Sequence, residues 1–329
     1  NILLLTTGGT IASTAGENGL TPTLDGENLI KFVGALDCNV TVKNILELDS
    51  SNIQPEEWQL IAESAFNMRS GYDGIVITHG TDTMAYTASM LSFMLKNIDL
   101  PVVFTGSQLP IAYPLSDAPE NLRCALAMAS SGKNGVFVAF NRKVFLGCRT
   151  VKVRTTGFNA FESVNIPPVA EINSDGLIIR DELIPKMNGA PQLLKALDNR
   201  ITLVKLIPGI DPAFFTAIAN LGCRGIVIEA FGSGGLHFIR RDLVSQLEAL
   251  VRSGIAVVVC SQCLYERSDM TTYEVGRLAL KKGVIPAGDM TSEAAVTKLM
   301  WGLGQGLSPM ELSALFATSV AGEISILKK

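Results

Sequence analysis

Short apolar runs alternate with amphipathic helical patterns along the whole of this sequence, and no other feature constrains its fold so strongly. The apolar runs have the length of buried strands, and the segments between them repeat at the spacing of a helix face. In the first half of the chain, strands are predicted over Ile2–Leu5, Val40–Leu48, Ile75–Thr78, Val102–Thr105 and Val136–Phe140. Helices are predicted over Pro55–Met68, Met84–Lys96 and Glu120–Ala129. This alternation is typical of a parallel sheet covered by helices on both faces.

A stretch rich in turn formers divides the sequence in two. Residues 173–191 contain Asn-Ser-Asp-Gly, Asn-Gly and two prolines, a composition typical of a connecting segment. The strand–helix alternation resumes at Ile201–Ile207 and continues at Gly225–Ala230. We therefore predict three segments: a larger doubly wound, flavodoxin-like α/β domain over 1–180, a linker over 181–200, and a smaller C-terminal α/β domain over 201–329.

Charge and hydropathy argue against two classes of partner. The chain has 27 basic and 31 acidic side chains, a net charge of −4, whereas nucleic-acid and anionic-membrane surfaces need a basic footprint. No apolar run approaches the ~20 residues of a membrane span. The run Ile2–Leu5 is also too short for the apolar core of a signal peptide. We expect neither a nucleic-acid nor a membrane partner.

The cysteines favour a reducing compartment. The six are scattered, at Cys38, Cys124, Cys148, Cys223, Cys260 and Cys263. Several lie in apolar patterns, as buried thiols do, and their spacing does not suggest a disulfide framework. Cys260 and Cys263 form a C-x-x-C pair, but a zinc site needs a second ligand pair that the sequence lacks. A cytoplasmic protein without a bound metal is expected.

Two turns rich in threonine and glycine follow predicted strands directly. Thr7–Ile11 (TGGTI) follows the first strand, and His79–Thr83 (HGTDT) follows the third. The carboxyl ends of parallel strands meet at one edge of a sheet, where open α/β proteins bind their ligands. Acyl transfer needs a nucleophilic hydroxyl, a proton relay and backbone N–H donors, which such turns can supply. Because the chain has two histidines, a Ser-His-Asp relay is not expected.

Each turn also has a purely structural interpretation. Thr10 could cap a helix after a βα turn, and Asp82 could complement the dipole of the helix predicted from Met84. Two such turns at neighbouring strand ends favour a shared pocket over two coincident caps. His79 lies at the same strand end, and we interpret it as a hydrogen-bonded core residue.

Two further segments carry candidate polar groups. Asp49, Ser50 and Ser51 follow the second strand. Ser51 or Asn52 could cap the next helix, or Asp49 and the serine hydroxyls or N–H groups could hold a substrate. Asp49 and Asp82 together could bind an α-ammonium group, while hydroxyls and amides bind an α-carboxylate. Lys152 lies in a cationic strand-like segment, which is either a solvated sheet edge or the source of a pocket lysine beside Thr81 and Asp82 that accepts a proton.

The sequence resembles the L-asparaginases of the cytoplasmic, type I group. The resemblance rests first on Thr7–Ile11 and His79–Met84, which match both signature segments of that family. It continues through Asp49–Ser51, Thr105–Gln108 (TGSQ), the strand of Lys152 and Met290–Ala294 (MTSEA), and so covers essentially the whole chain. It implies two α/β domains, a homodimer or a dimer of dimers, no cofactor, and hydrolysis of L-asparagine to L-aspartate and ammonia.

The resemblance also implies a role for each matching residue. Thr10 corresponds to the nucleophile that forms the acyl-enzyme. Thr81, Lys152 and Asp82 correspond to a relay of hydroxyl, lysine and carboxylate. The substrate-holding positions correspond to Asp49, Ser50, Ser51, Thr81, Asp82 and Ser107.

The sequence departs from the family pattern at two places. Relatives often carry a tyrosine on a flap about ten residues after the nucleophile, and here that position is Leu20 within the turn-like segment 13–23. Tyr273 and Glu274 are candidates for the missing relay, because some relatives supply a carboxylate across a subunit interface. Some type I enzymes bind asparagine at a second site through an arginine, but Glu229 stands here, and its carboxylate would repel that of the effector. We do not expect that second site.

Two other functions fit the same motifs. An amidase subunit of a tRNA-dependent amidotransferase would share both threonine turns but would carry extra domains and a basic RNA-facing surface. A non-catalytic amino-acid-binding module could use the same scaffold. Retention of Thr10, Thr81, Asp82 and Lys152 together argues against simple binding, which needs neither the lysine nor two hydroxyls.

Overall fold

The computed structural model describes residues 1–16, 19–22, 26–35 and 37–326, with residues 14–16 and 19–22 described by their backbone alone. It contains two compact units, Asn1–Lys195 and Ala196–Lys329. The predicted linker, 181–200, spans the boundary between these units, and its limits stay a prediction. None of the helices in these described ranges is long and apolar enough to cross a membrane.

The first unit is built on one large sheet. Its strands are β1 (Ile2–Gly8), β2 (Ser13–Gly16), β3 (Gly19–Pro22), β4 (Val40–Leu48), β5 (Gly74–Thr78), β6 (Leu95–Lys96), β7 (Pro101–Thr105), β8 (Gly135–Phe140), β9 (Lys143–Leu146), β10 (Thr150–Lys152), β11 (Phe161–Ser163), β12 (Ala170–Asn173), β13 (Gly176–Ile179) and β14 (Gln192–Leu193). Its helices are α1 (Gly26–Val33), α2 (Pro55–Met68), α3 (Met84–Met94) and α4 (Ala118–Ala129).

The parallel part of the sheet confirms the predicted doubly wound fold. Strands run β8-β7-β5-β1-β4 and pair in parallel. This is the flavodoxin order, in which the direction of strand addition across the sheet reverses between β1 and β5. Ligands of such sheets bind outside the carboxyl ends of the strands at that reversal. The two threonine turns follow β1 and β5 and therefore lie at this point.

Local sequence explains the central elements. Strands β5, β7 and β8 are buried along their whole length, as expected of runs covered on both faces. Helix α2 begins with Pro55 and a reciprocal pair of hydrogen bonds between Gln54 and Glu57. Helix α3 ends at Met94, two residues before its predicted end, because Leu95–Lys96 pairs with Gln192–Leu193.

An antiparallel extension of the sheet lies in a region for which no strands were predicted from the sequence. Strand β9 turns back on β8, and β12 and β13 continue the sheet beyond it. The turn formers at 173–176 make the tight end of the β12–β13 hairpin, not part of a connecting segment. Separately, β10 and β11 form a two-stranded ribbon that carries Lys152.

The second unit is a smaller parallel α/β layer, as predicted. Its strands are β15 (Ile201–Lys205), β16 (Gly225–Ala230), β17 (Ala256–Ser261) and β18 (Ile285–Pro286), paired in parallel in chain order. Its helices are α5 (Ala213–Asn220), α6 (Leu243–Arg252), α7 (Glu274–Lys281), α8 (Ser292–Gly304) and α9 (Pro309–Phe316). Apolar side chains of β16, β17 and α6 form its core.

Candidate active site

Glycines allow three strand ends to touch at the reversal of the sheet. A Cβ on Gly9, after β1, would lie 2.4 Å from the backbone N of Gly80, after β5. A Cβ on Gly80 would lie 2.5 Å from Oγ of Ser50, which follows β4. Gly9 also has φ +80°, a conformation that side chains rarely adopt. The glycines of both threonine motifs are therefore required for the two turns to meet.

Thr81, Lys152 and Asp82 form one hydrogen-bonded group. The Lys152 Nζ donates to Thr81 Oγ1 at 2.8 Å and to Asp82 Oδ1 at 2.6 Å. Thr81 is buried, the Lys152 side chain is 17% exposed, and the Asp82 side chain is 64% exposed. The lysine therefore approaches the hydroxyl from inside the protein, while the carboxylate remains open to a ligand.

Gln108 completes this group and was missed by sequence reasoning. The Thr81 hydroxyl donates to Gln108 Oε1 at 3.3 Å, and Gln108 Nε2 donates to the carbonyls of Thr155 and Gly157 at 3.1 and 3.2 Å. The TGSQ segment brought Gln108 into the family resemblance, but nothing in a lone glutamine distinguishes a positioning role from a surface one. Its contacts depend on a loop that follows β10 and is distant in sequence.

The segment after β4 is tied to the second threonine turn. Asp49 accepts from the backbone N–H of Ser51 at 2.9 Å and from its hydroxyl at 2.5 Å. Buried Ser50 accepts from the backbone N–H of Asp82 at 3.3 Å, and its carbonyl accepts from the Thr83 hydroxyl at 2.7 Å. The prediction of Ser51 or Asn52 as the cap of the next helix is wrong, because Gln54 caps α2 and Asp49 caps the short 3-10 turn before it. The contacts of Ser50 place this turn beside the Asp82 turn, which is compatible with the substrate-holding interpretation.

Thr10 lies at the start of a 3-10 turn, Thr10–Ala12, and is half-buried. Among the residues whose side chains are described, none hydrogen-bonds to its hydroxyl. The turn itself is held by its surroundings: Gly9 N donates to Leu48 O at 2.9 Å, and the Ser13 hydroxyl donates to Gly9 O at 3.0 Å. Its backbone position is therefore defined independently of its hydroxyl.

The predicted flap over Thr10 contains an antiparallel ribbon in its described part. Strands β2 and β3 pair, with Leu20 opposite Ala15. The side chain of Leu20 and the whole of residues 17, 18 and 23 lie outside the described residues. The consequence of leucine at the family's tyrosine position stays a prediction.

His79 is a core residue, as interpreted from the sequence. Its Nδ1 lies 2.7 Å from Gly80 O and its Nε2 lies 3.0 Å from Thr87 Oγ1, which also accepts from Trp58 Nε1 at 3.0 Å. A carbonyl can only accept, so this network assigns the proton to Nδ1. Burial lowers the pKa of His79 from 6.5 to about 4, against the opposing effects of the Gly80 hydrogen bond and the Asp49 charge. The ring is therefore neutral, and its hydrogen bond to Gly80 O supports the second threonine turn.

The remaining predicted site residues lie in three places. Ser107 is buried, and its hydroxyl donates to Leu109 O within its own loop. Tyr273 and Glu274 lie in the second unit, at the start of α7, where the tyrosine is 63% exposed. Glu229, which the resemblance places where some relatives have an arginine, accepts from the Ser292 hydroxyl at 2.6 Å. The roles predicted for Ser107, Tyr273 and Glu274 remain predictions.

The geometry defines a class of protein. It is an α/β protein of two units, in which a threonine, a lysine and a carboxylate are grouped where the strand order of the large sheet reverses, beside a second threonine turn. Comparison with known sequences agrees with that class. Residues 1–185 match the family description "Asparaginase, N-terminal", and residues 200–316 match "Glutaminase/Asparaginase C-terminal domain". The chain belongs to the asparaginase family.

Individual relatives are similar over the full chain. An L-asparaginase of Thermococcus kodakarensis is 44% identical over 98% of this chain and 99% of its own length. A solved structure, "The thermostable L-asparaginase from Thermococcus kodakarensis", matches with a TM-score of 0.93 at 44% identity, over 98% of this chain and 99% of that one. A glutamyl-tRNA(Gln) amidotransferase polypeptide from Pyrococcus furiosus is 39% identical over 98% of this chain and 76% of its own length.

Proposed function

We propose that this protein hydrolyses L-asparagine to L-aspartate and ammonia through an acyl-enzyme on Thr10. The observation that carries the proposal is the group of Thr81, Lys152 and Asp82, joined by contacts of 2.8 and 2.6 Å on a turn packed against that of Thr10. Membership of the asparaginase family and the 44% identity to a relative of that name support the choice of substrate.

The reaction proceeds by two acyl transfers. Thr10 Oγ attacks the side-chain amide carbon of asparagine and gives up its proton, the C–N bond breaks, and ammonia leaves with a proton returned to its nitrogen. Water then adds to the ester carbon, the bond to Thr10 breaks, the hydroxyl regains its proton, and aspartate leaves. Splitting the hydrolysis in this way replaces one difficult step by two easier ones.

The group of Thr81, Lys152 and Asp82 supplies proton transfer. The hydroxyl of Thr81, the amine of Lys152 and the carboxylate of Asp82 form a continuous row in which a proton can move between neighbours. The buried side of this row excludes water, which strengthens its electrostatic interactions. Positioned proton transfer of this kind contributes about 10²- to 10⁴-fold to turnover.

Substrate binding uses the exposed side of the same group. We assign the α-ammonium of asparagine to the Asp49 and Asp82 carboxylates. The α-carboxylate is assigned to the hydroxyls and amides of Ser50, Ser51 and Ser107. These residues belong to the segments after β4, β5 and β7, three strands of the same sheet.

An ammonia-release assay with the purified protein tests the proposal directly. Asparagine and glutamine are supplied separately, without tRNA or a second protein, and asparagine is expected to be turned over. Acid quench followed by mass spectrometry of a slow variant, Lys152→Met, should find an aspartyl mass on the peptide that contains Thr10. Absence of ammonia release from asparagine would reject the proposal, whatever the result with glutamine.

The amidotransferase relative supports a second candidate, in which the ammonia serves an amidation on tRNA. The 39% identity over nearly the whole chain favours keeping it. Such a protein would release ammonia efficiently only with its partner and charged tRNA present. Turnover by the isolated protein that is unchanged by added tRNA would exclude this candidate.

Assembly and location follow the same family expectation. We propose a homodimer or a dimer of dimers in the cytoplasm. All six cysteines are free, which supports a reducing compartment. Light scattering of the purified protein distinguishes a dimer from a tetramer, and a monomeric mass would reject the assembly.

A further inference from the structure

The loop after β7 contacts both threonine turns. Gln108 accepts the hydrogen bond of Thr81 at 3.3 Å. Three residues further on, Ile111 N donates to the carbonyl of Ile11, the neighbour of Thr10, at 3.2 Å. The position of this loop therefore bears on both hydroxyls at once.

A single carboxylate holds this loop in place. Asp117 accepts from the backbone N–H groups of Gln108 and Leu109 at 3.0–3.1 Å and from the Asn121 side chain at 3.0 Å. Asn121 is buried and also donates to Gly106 O at 2.9 Å. Hydrogen bonds to a charged acceptor are stronger than neutral ones, so the backbone of Gln108 is fixed at both sides.

The side chain of Gln108 can adopt one orientation in this setting. Its Nε2 faces two carbonyl oxygens, of Thr155 and Gly157, and carbonyls cannot donate. The amide NH₂ must therefore point to them, and Oε1 must point to Thr81. Since Lys152 Nζ already donates to Thr81 Oγ1, the hydroxyl proton of Thr81 has to point at Gln108.

We propose that Gln108 is a positioning residue that sets the direction of the Thr81 hydroxyl and so keeps one lone pair of that oxygen on Lys152. Gln108 touches no reacting atom in this arrangement; it acts through Thr81. The inference rests on the proposed function, because it assumes that Thr81 and Lys152 exchange a proton during turnover.

Two substitutions separate this role from simple support of the loop. Gln108→Met keeps the length of the side chain and removes all its hydrogen bonds. Gln108→Glu also loses both donors to Thr155 and Gly157 but keeps an oxygen that accepts from Thr81. If Gln108 merely tethered the 155–157 loop, the two variants would be equally impaired.

A positioning role predicts a difference between them. Gln108→Met should lower kcat by about 10- to 100-fold, the cost of a misplaced catalytic group, with KM changed by less than about threefold. Gln108→Glu should recover at least about threefold of kcat relative to Gln108→Met. Ser116→Ala is the matched control, because Ser116 bonds Leu109 O of the same loop at 3.1 Å without contacting Thr81, and its kcat should stay near that of the wild type.

The experiment measures kcat and KM for asparagine with the wild type and all three variants, together with their thermal unfolding temperatures. If the wild type is active and Gln108→Met keeps a normal kcat, the positioning role is wrong. It is also wrong if both Gln108 variants lose the same amount of kcat. Either result leaves the proposed function intact. A wild type that releases no ammonia rejects the proposed function itself, and the positioning role with it. Recovery in the glutamate variant at unchanged unfolding temperature supports the inference.

Discussion

The two threonine turns lie side by side and are built differently. The hydroxyl of Thr81 accepts from Lys152 and donates to Gln108, so its direction is determined before any ligand arrives. The hydroxyl of Thr10 has no such partner among the described side chains, although the backbone of the preceding Gly9 is held by Leu48 and Ser13. The first arrangement suits the proton transfer that we propose for Thr81. The second leaves the Thr10 hydroxyl available to a substrate, as the proposed nucleophile must be.

The largest effect is expected from removing either hydroxyl. Thr10→Ala and Thr81→Ala should each lower kcat by roughly three to five orders of magnitude, since nucleophile and relay act as a unit. Steady-state ammonia release measures this. Near-normal turnover in either variant would refute the assignment of that threonine.

Serine substitutions sharpen the contrast between the turns. Thr81→Ser keeps a hydroxyl that Lys152 and Gln108 still orient, so kcat should fall by less than about tenfold. Thr10→Ser loses the methyl group that restricts its rotamers and has no described partner to replace it, so a larger loss is expected. The reverse order would show that Thr10 is the more firmly oriented of the two.

Removing the lysine breaks the preorganised group from its buried side. Lys152→Met retains the stem of the side chain and should lower kcat by about 10²- to 10⁴-fold while the protein still folds. Arg154→Met is the matched control: Arg154 is bonded to Glu162 and Asn159 O at 2.8 and 2.9 Å, and its loss should leave kcat within about threefold. If Lys152→Met left kcat unchanged and Arg154→Met lowered it, Arg154 and not Lys152 would be the lysine-like cation of the site.

The buried histidine makes the support of the Thr81 turn sensitive to acid. The pKa of His79 is 6.5 in the unfolded chain, and burial lowers it to about 4 in the folded protein. Between these values the unfolded state holds more protons, so stability falls as the pH is lowered through this window, by about 3 kcal/mol in total at ~1.4 kcal/mol per unit.

Denaturant unfolding between pH 7 and pH 4 measures this dependence. His79→Gln should be less stable than the wild type at pH 7, because the hydrogen bonds of the buried ring to Thr87 and Gly80 are lost, and its stability should change less with pH. A parallel decline of both proteins across the window would show that other groups cause the acid sensitivity.

The smallest effects concern the flap over Thr10. Leu20→Tyr restores the residue common in relatives. It should change kcat by less than about threefold if another group already relays protons to and from Thr10. Tyr273→Phe should lower kcat by about tenfold, with little change in KM, if the phenol is that group. Unchanged turnover in Tyr273→Phe would exclude the tyrosine from the relay.

The central sheet and the position of the threonine turns were predictable because they depend on local patterns. Strand β4 and helix α2 have the predicted limits, since a run of alternating apolar residues and a Pro55 start with its cap are signals within one segment. The β12–β13 hairpin was not predicted. Its turn formers also occur in connecting segments, and its first strand, β12, is stabilised by pairing with β9, which is remote in sequence.

Lys152 was assigned to the site by the family resemblance, because the strand pattern left its direction open. Residues 152 and 154 would share a face in a regular strand, so that pattern alone could not separate their roles. In the structure, the backbone N–H groups of Val153 and Arg154 both donate to Ala160 O, and the regular alternation ends there. Lys152 consequently turns inward to Thr81, whereas Arg154 pairs with Glu162 at 2.8 Å.

By itself, the sequence determined that the chain forms two α/β layers and that two threonine turns end neighbouring strands, because periodicity and glycine content act over a few residues. Tertiary structure decided how the Thr81 hydroxyl is oriented and how deeply its neighbours are buried. Gln108 reaches Thr81 because Asp117 and Asn121 hold its loop, and His79 remains neutral because the surrounding core buries it. Such contacts join residues far apart in the chain, and their strength depends on burial, which no local pattern records.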